Sequence, residues 1–360
     1  MVHNFNAGPS ILPKEVIQQA SEALLNFNNS GLSILEIGHR TPLFQNIMDE
    51  AVSLVKELMN LDSDHEVLFL HGGASTQFMQ VPYNLLDETK TAAYIDNGVW
   101  GSKAIKEAKL FSNVAVVASS KDKDHTYIPK DFTVPADAAY LHYTTNNTIE
   151  GTQWFTVPET DVPLVADMSS DFLSRQMDFN RFALIYAGAQ KNVGAAGVNI
   201  VVVNKNILGK VSRKIPTIMD YRNHIENGSM LNTPPVFAIH VSMLTLRWLK
   251  KMGGVAGIEK INNEKAALLY EAIERLPLFR AKVAEEDRSK MNVVFRINDP
   301  AIEKDFLEVC KKENMYGVKG HRSVGGFRVS LYNALPLSSV KAFVQLMEEF
   351  SARYTYQNIP

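Results

Sequence analysis

The sequence predicts an α/β protein whose larger part is a mostly parallel, doubly wound sheet. Seven short segments are continuously apolar, which is typical of parallel strands buried on both faces. Helical patterns separate most of these segments, as they do in a doubly wound sheet. After about residue 277 the pattern changes to that of a second, smaller α+β unit. The seven predicted strands are EVLFL, TAAYID, NVAVVAS, AAYLHYTT, VPLVAD, FALIYAG and NIVVVN.

Two helices are predicted ahead of this sheet. The first 13 residues are punctuated by Gly and Pro and show no periodicity. An amphipathic pattern then predicts a helix over Lys14–Phe27, and a polar loop leads to a second helix over Leu43–Met59. TQFMQVPYNLL predicts a helix after the first strand. An Asn-Gly turn followed by VWGSKAIKEAKLF predicts another after the second strand.

Two long helices lead out of the sheet region. PPVFAIHVSMLTLRWLKKMGG is opened by prolines and closed by glycines, and GIEKINNEKAALLYEAIERL follows it. The remainder contains two strands, MNVVFRI and GGFRVSLYNA, and two helices, AIEKDFLEVCKKEN and LSSVKAFVQLMEEFSARY. We therefore predict a large domain over 14–256 and a small α+β domain over 257–360, joined by an N-terminal segment over 1–13.

Composition and charge exclude several classes of protein. The chain has 360 residues, enough for two domains, and a net charge of −2 that gives no reason to expect nucleic acid or an anionic membrane as a partner. The one cysteine, Cys310, excludes an internal disulfide and a cysteine-clustered metal site, and we predict no metal. We find no signal-peptide pattern and no apolar run near the roughly 20 residues of a membrane span. We expect a cytoplasmic protein.

Lys191 lies in the segment IYAGAQKNVG, directly after an apolar strand. Its small neighbours, Ala187–Ala189, leave room for a flat molecule against the backbone. Asp167 ends another predicted strand 24 residues upstream. A lysine can form a Schiff base and a carboxylate can hold a pyridinium nitrogen, so the pair suits a pyridoxal phosphate site. A lysine in a polar turn and an aspartate that caps a helix are the alternative.

Four further features are compatible with such a site but are individually weak. The segment His71–Ser75 follows a strand and precedes a helix, where backbone N–H groups can bind phosphate, or it is only a turn. Trp100 could stack on a planar ring or belong to the core. Thr148 could reach a phenolic oxygen or serve a turn. Asn232 and Thr233 could merely cap the helix that the prolines open.

Two His-Arg pairs, His39-Arg40 and His321-Arg322, lie in loops flanked by glycine, and Arg328 follows the second pair. Arginine offers a planar fork for carboxylate or phosphate, and an adjacent histidine adds a donor. One such pair is usually a solvated loop. Two pairs and a third arginine indicate a substrate with two or three negative charges.

Taken together, these motifs resemble the phosphoserine aminotransferase family of fold type I pyridoxal phosphate enzymes, over essentially the whole chain. The resemblance implies a homodimer that transfers the amino group of L-glutamate to 3-phosphohydroxypyruvate, giving O-phospho-L-serine and 2-oxoglutarate for serine biosynthesis. Some bacterial relatives also accept 4-phosphohydroxy-L-threonine, on the route to pyridoxine. The matching segments are NFNAGPSILP, GHRTP, HGGASTQF, NGVWG, ADMSSDFLSR, IYAGAQKNVG, NTPPVF and GHRSVGGFRVSLYNALP.

The resemblance also implies a role for each candidate residue. It makes Lys191 the Schiff-base lysine, Asp167 the partner of the pyridinium nitrogen and Trp100 the residue stacked on the ring. It implies that Thr148 contacts the phenolic oxygen. The residues implied to hold the cofactor phosphate are Ala74, Ser75 and Gln190, with Asn232 and Thr233 from the neighbouring subunit. The residues implied to bind substrate are His39, Arg40, His321 and Arg322 for its phosphate and Arg328 for its α-carboxylate.

Two departures and three alternatives accompany this interpretation. Some bacterial members have arginine where this chain has Ser75, and some have serine where it has Ala7. Another aminotransferase of the alanine–glyoxylate or serine–pyruvate type would not need two His-Arg pairs. A cysteine desulfurase would need a mobile nucleophilic cysteine, and Cys310 lies in a helical pattern. A non-catalytic ligand-binding protein would form no Schiff base.

Overall fold

The protein, described here by a computed structural model over residues 1–357, is built around a seven-stranded sheet. All seven predicted strands are present, which confirms the α/β class. The strands of the described chain are β1 (His3–Asn4), β2 (His65–Leu70), β3 (Thr91–Asp96), β4 (Asn113–Ser119), β5 (Leu141–Thr144), β6 (Leu164–Asp167), β7 (Leu184–Gly188), β8 (Asn199–Asn204), β9 (Phe279–Ala281), β10 (Asn292–Ile297), β11 (Met315–Tyr316) and β12 (Phe327–Ser330).

The order of strands in the large sheet is β2-β8-β7-β6-β5-β3-β4. The pairs β7–β6, β6–β5, β5–β3 and β3–β4 are parallel, so the sheet is mostly parallel, as predicted. Only β8 runs against its neighbours, β2 and β7. As a consequence β2, β5, β6 and β7 all point the same way, and their carboxyl ends lie along one edge.

Helices cover both faces of this sheet. The face that carries Phe69, Ile185 and Ile200 packs against α1, α2 and α6, and the opposite face, which carries Leu70 and Tyr186, packs against α3 and α4. The helices are α1 (Lys14–Leu25), α2 (Pro42–Met59), α3 (Gly73–Leu85), α4 (Val99–Ala108), α5 (Tyr221–Glu226), α6 (Val236–Lys251), α7 (Gly254–Arg275), α8 (Glu303–Lys312) and α9 (Leu337–Gln357).

Some predicted boundaries differ from the structure. Helix α3 begins at Gly73, three residues before the predicted start at Thr76. Helix α1 ends at Leu25 rather than Phe27, because Asn26 adopts an extended conformation (φ −160°). The sequence pattern gave no sign of α5, β1, β9 or β11, whose lengths of two to six residues are too short for a periodic signal.

A second hydrophobic core forms around the C-terminal part of the chain. The strands β9, β10 and β12 form an antiparallel sheet, and β1 pairs in parallel with β11, so the first residues of the chain join this unit. Helix α7 belongs to both cores: Ile258 packs with the large sheet and Leu269 with the small one. Cys310 is buried in α8, and burial raises the pKa of its thiol to about 12, as expected for a packing residue.

Over residues 1–357, no helix is both long and apolar enough to cross a membrane. The same residues contain no group of three His, Cys, Asp or Glu side chains arranged to hold a metal ion.

Candidate active site

A cavity of about 420 Å³ opens where the carboxyl ends of β2, β5, β6 and β7 meet. This edge is the usual ligand site of an open α/β sheet. Nine of the fourteen predicted site residues line the cavity, although they lie as much as 254 positions apart in the chain. These nine are Ala74, Ser75, Trp100, Thr148, Asp167, Gln190, Lys191, His321 and Arg328.

Lys191 lies in the turn that follows β7, and its amine is held inside the cavity. The Lys191 Nζ atom donates a hydrogen bond to the hydroxyl of Thr148 at 2.7 Å. Burial lowers the pKa of the Lys191 amine to about 8, and the charge of Asp167 opposes part of that shift. A neutral amine is therefore accessible near physiological pH, which a lysine acting as nucleophile and proton carrier requires.

Asp167 is the last residue of β6, and its carboxylate is buried beside Lys191. One carboxylate oxygen, Oδ1, accepts a hydrogen bond from the backbone N–H of Ser169 at 2.9 Å. Burial raises the pKa of Asp167, whereas the bond from Ser169 and the charge of Lys191 act to lower it. A positively charged N–H group in the cavity would hold this carboxylate ionised.

The start of α3 forms a glycine turn at the cavity wall whose geometry suits an anion. Gly72 (φ 85°) and Gly73 (φ 63°) have left-handed conformations, and a β-carbon at Gly72 would collide with the side chain of Thr76. No side chain caps this helix, and its first turn contains no acidic residue. The first N–H groups of a helix have no partner within it, so Ala74 and Ser75 present donors suited to a phosphate.

Gln190 reaches the cavity because Gly188 leaves space for its side chain. A β-carbon on Gly188 would lie 2.8 Å from the Gln190 side-chain oxygen. The amide of Gln190 therefore lies over the end of β7, next to Lys191. A larger residue at position 188 would force the end of the Gln190 side chain to move.

Trp100 lies in the first turn of α4 and lines the cavity. The Lys191 Nζ atom is 5.6 Å from the centroid of its ring. The indole Nε1 atom is buried and has no hydrogen-bond partner within residues 1–357. The carboxylate of Glu150 accepts a bond from the N–H of Val99 at 2.9 Å, so the turn that carries Thr148 also fixes the start of α4.

Arg328 comes from β12 and faces the cavity from the C-terminal unit. Its Nη1 atom donates to the backbone oxygen of Thr148 at 3.1 Å, and its Nε atom is buried with no partner in the described chain. The guanidinium thus keeps donors for an anion. The imidazole of His321 also lines the cavity. Its pKa is lowered by burial and then by the positive charges of Arg328, Arg322 and Lys103.

The other five predicted residues do not line this cavity. Arg40 and Arg322 are exposed, His39 is half-buried, and Asn232 and Thr233 are exposed. The alternative in which the Asn-Thr pair caps the following helix is also not realised, because α6 begins at Val236 and Pro235 precedes it.

Thr233 nevertheless lies close to the glycine turn at the start of α3. Its backbone oxygen is 2.9 Å from the Nε2 atom of His71, and His71 directly precedes Gly72. The exposed pair Asn232-Thr233 therefore lies beside the cavity of its own chain but does not line it.

The cavity also contains residues for which the sequence analysis proposed no function. Gly8, Thr144, Asn146, Ile149, Ser169 and Ser170 line it. Gly72 and Gly73, which belong to the predicted phosphate-binding segment, also line it, and so does Ala7, whose contact with substrate was in doubt. Most of them directly follow β5 or β6 in the runs TTNNTI and DMSS, so their position after a strand was an available signal. The contribution of the N-terminal segment was less visible, because only tertiary contacts bring it there.

Comparison with known proteins gives the family. The model of the aminotransferase class-V family matches residues 2–343, and the chain belongs to this family. Within the class, the chain is 55% identical to the phosphoserine aminotransferase of Flavobacterium johnsoniae over 352 residues, covering 98% of this chain and 99% of that protein. It is 54% identical to the phosphoserine aminotransferase of Phocaeicola vulgatus, covering 97% of this chain and 98% of that one.

Solved structures agree with this assignment. The phosphoserine aminotransferase of Bacillus circulans subsp. alkalophilus matches with a TM-score of 0.96 and 42% identity, over 98% of this chain and 99% of that chain. The PLP-bound phosphoserine aminotransferase of Trichomonas vaginalis matches with a TM-score of 0.92 and 36% identity, over 97% and 100%. An alanine–glyoxylate aminotransferase from Nostoc sp. has a TM-score of 0.75 at 16% identity, which shows a shared fold only.

Proposed function

We propose that this protein is a pyridoxal-phosphate-dependent aminotransferase that exchanges an amino group between L-glutamate and 3-phosphohydroxypyruvate, giving O-phospho-L-serine and 2-oxoglutarate. The observation that carries the proposal is the buried Lys191 amine, which lies between Trp100, Thr148 and Asp167 in one cavity. The class V family and the full-length similarity to phosphoserine aminotransferases support the reaction and the phosphorylated substrate.

The residues of the cavity fit pyridoxal phosphate. An uncapped helix start offers N–H donors for a phosphate, and the buried carboxylate of Asp167 could accept a hydrogen bond from a protonated ring nitrogen. Lys191 would hold the aldehyde carbon, Asp167 the ring nitrogen and Trp100 a face of the ring. Ala74, Ser75 and Gln190 would hold the phosphate, and Thr148 the phenolic oxygen. When bound, the cofactor supplies a carbonyl that condenses with amines and a ring that takes up electrons.

Lys191 is the residue that moves protons. Burial lowers the pKa of its amine to about 8, so a useful fraction is neutral at physiological pH and able to take the proton from the substrate Cα atom. The hydroxyl of Thr148, 2.7 Å from Nζ, holds the amine in place between proton transfers. The same amine returns the proton when the amino group is transferred.

Arg328 and the His-Arg pairs would bind the substrates. Arg328 has unpaired donors at the cavity and suits the α-carboxylate that both substrates share. His321 would take the phosphate in the cavity of its own chain, and Arg322, the next residue, would reach it from just outside that cavity. His39 and Arg40 would come from a second copy. We infer a homodimer with shared sites, since His39, Arg40 and the Asn232-Thr233 pair lie outside their own cavity.

A spectrum and an assay test this function. The purified protein should show a yellow absorbance band that borohydride removes, and it should transfer the amino group of L-glutamate to 3-phosphohydroxypyruvate. Lys191→Ala should lose both the band and the transfer. Turnover of unphosphorylated keto acids alone would instead support an aminotransferase of the alanine–glyoxylate type. A colourless protein that forms no Schiff base would contradict an enzyme of this class. Adding 4-phosphohydroxy-L-threonine to the assay tests it as a second substrate.

A further inference from the structure

A lysine at the mouth of the cavity has no role in the function described above. Lys103 follows Trp100 by three residues on α4, a spacing that puts both side chains on the same side of the helix. The Lys103 Nζ atom lies 4.2 Å from the centroid of the Trp100 ring. Trp100 lines the cavity, whereas Lys103 is exposed at its edge. The indole therefore holds the ammonium group beside the cavity by a cation–π contact.

The charge of Lys103 is not neutralised within its own chain. Among residues 1–357, no carboxylate forms an ion pair with it. Burial lowers the pKa of the His321 imidazole, and the positive charges of Arg328, Arg322 and Lys103 lower it further. His321 is therefore mostly uncharged at neutral pH and can offer a hydrogen bond but little positive charge.

We propose that Lys103 binds the phosphate of the keto-acid substrate at the cavity mouth and favours phosphorylated over unphosphorylated substrates. The proposal rests on the proposed function, because it names a further residue that sets substrate specificity at the same site. A lysine is a compact point charge on a flexible stem and suits a phosphate dianion. The proposed function assigns Arg328 to the α-carboxylate of the substrate. Lys103 would supply positive charge at the other end, where the phosphate lies.

A second role is compatible with the same contact and makes a different prediction. Lys103 could serve only to pack against Trp100. Its loss would then disturb the ring that faces the cofactor, and every substrate would be affected equally. A phosphate contact is selective instead, because a dianion interacts with the ammonium group more strongly than the single γ-carboxylate of 2-oxoglutarate does.

The experiment compares Lys103→Gln and Lys103→Met with the matched control Lys106→Gln in the holoenzyme. Lys106 lies one turn further along α4, is also exposed and makes no aromatic contact in the described chain. We expect both Lys103 variants to lower kcat/KM for 3-phosphohydroxypyruvate about five- to tenfold, in line with the loss of one charge-assisted hydrogen bond. The value for 2-oxoglutarate should change less than about twofold, within the range of an exposed charge. Lys106→Gln should change neither.

A second readout measures binding without turnover. Inorganic phosphate should inhibit the wild-type holoenzyme competitively, and its inhibition constant should rise in the Lys103 variants but not in Lys106→Gln. Equal losses for both keto acids, or an unchanged inhibition constant, would overturn the role of Lys103 and leave the proposed function standing. A wild-type holoenzyme that does not turn over 3-phosphohydroxypyruvate would overturn both.

Discussion

Lys191 and Lys265 are both buried lysines, but their surroundings give the two amines different roles. The Lys191 amine faces the cavity and donates to a hydroxyl, which leaves it free to exchange protons. The Lys265 amine lies between α7 and the chain after β12, where it donates to the backbone oxygens of Leu331 at 2.7 Å and Tyr332 at 2.8 Å. Burial without a cavity makes Lys265 a structural residue, so a lowered pKa does not by itself identify a reactive lysine.

The first prediction concerns the titration of Lys191. Because burial lowers its pKa to about 8, the neutral, nucleophilic amine should appear as pH rises through 8 in the cofactor-free protein. Modification by an amine reagent should therefore increase from pH 7 to 9 with a midpoint near 8. Mass spectrometry of the Lys191 peptide after brief exposure measures it. A midpoint near the roughly 10.4 of a solvated lysine would contradict this microenvironment.

Arg328 gives a second prediction at this scale. Arg328→Leu should lower kcat/KM for both L-glutamate and 3-phosphohydroxypyruvate by about 10- to 100-fold, since both carry the α-carboxylate that the guanidinium would bind. Steady-state kinetics with each substrate tests this. Arg322→Leu is the comparison, because it should affect the phosphorylated substrate more than glutamate. A loss confined to one substrate in Arg328→Leu would argue against a carboxylate role.

The directions of the strands could not be predicted from their sequence patterns alone. NIVVVN is as continuously apolar as its parallel neighbours, yet β8 is antiparallel to both β2 and β7. The link from β7 to β8, residues 189–198, is too short to contain a crossover helix, and this link carries Lys191. Apolar pattern predicted that the strand exists, whereas the length of its connection determines its direction. The start of α3 at Gly73 was missed because glycine and alanine carry no helical periodicity.

The N-terminal strap, His3–Ser10, is an element whose importance only tertiary contacts reveal. Its backbone passes beside Lys191. The N–H of Ser10 donates to the backbone oxygen of Gln190 at 2.9 Å, and the hydroxyl of Ser10 donates to the backbone oxygen of Lys191. Its other end pairs with β11 of the C-terminal unit. The buried hydroxyl of Tyr332 donates to the Ala7 oxygen at 2.8 Å. The strap therefore connects the lysine turn to both parts of the molecule.

Gly8→Ala tests the strap. Gly8 has φ 146°, and an added β-carbon would lie 3.3 Å from Cγ of Lys191. Overpacking of this kind costs roughly 1–3 kcal/mol, so we expect the dissociation constant for pyridoxal phosphate to rise about tenfold. Absorbance titration of the cofactor-free protein measures it. Gly31→Ala is the control, because Gly31 (φ 78°) has a left-handed backbone but no atom within 4 Å of the new methyl. Equal affinities in the two variants would contradict the contact with Lys191.

A further prediction concerns Lys265, which links α7 to the chain after β12 by hydrogen bonds. Burial lowers the pKa of Lys265 to about 7, and the same lysine titrates near 10.4 when unfolded. The unfolded chain thus binds more protons between these values, and stability should rise with pH from 7 to 10. Lys265→Met should abolish that rise. It should also cost about 1–3 kcal/mol, because the buried oxygen of Leu331 loses its donor, whereas that of Tyr332 keeps the N–H of Leu335.

Calorimetry across this pH range tests the role of Lys265. The melting temperatures of the wild type and Lys265→Met should diverge as pH increases, because only the wild type gains stability from loss of the proton. Lys191 is present in both proteins and cancels in the difference. Parallel curves would show that Lys265 does not change its protonation state on unfolding.

At the scale of the whole molecule, the site draws on parts of the chain that no local pattern connects. A polar network joins the large sheet to the C-terminal unit next to the lysine: the N–H of Asn333 donates to Asn192 at 2.9 Å, and Asn262 on α7 donates to Asn333 at 2.8 Å. Nine of the residues that the motifs singled out line one cavity, because strand ends and glycine turns carry local signals. Buried amide networks do not, since partners such as Asn192 and Asn333 are 141 positions apart. The division at residue 256 stays a prediction, because α7 contributes to both cores.

The shared site is the prediction that belongs to the whole molecule. The cavity of one chain contains Lys191 but not Arg40, so a second copy should supply Arg40. Co-expressed chains with different tags, one carrying Lys191→Ala and the other His39→Ala with Arg40→Ala, should form heterodimers that recover about half of the wild-type activity, because one of the two sites is intact. Heterodimers of Lys191→Ala with Arg328→Leu should recover less than about a tenth of that activity, because both residues line the cavity of their own chain and neither site is intact. Chains that do not purify together would contradict the dimer, and inactive heterodimers in the first pairing would place Arg40 in its own chain's site.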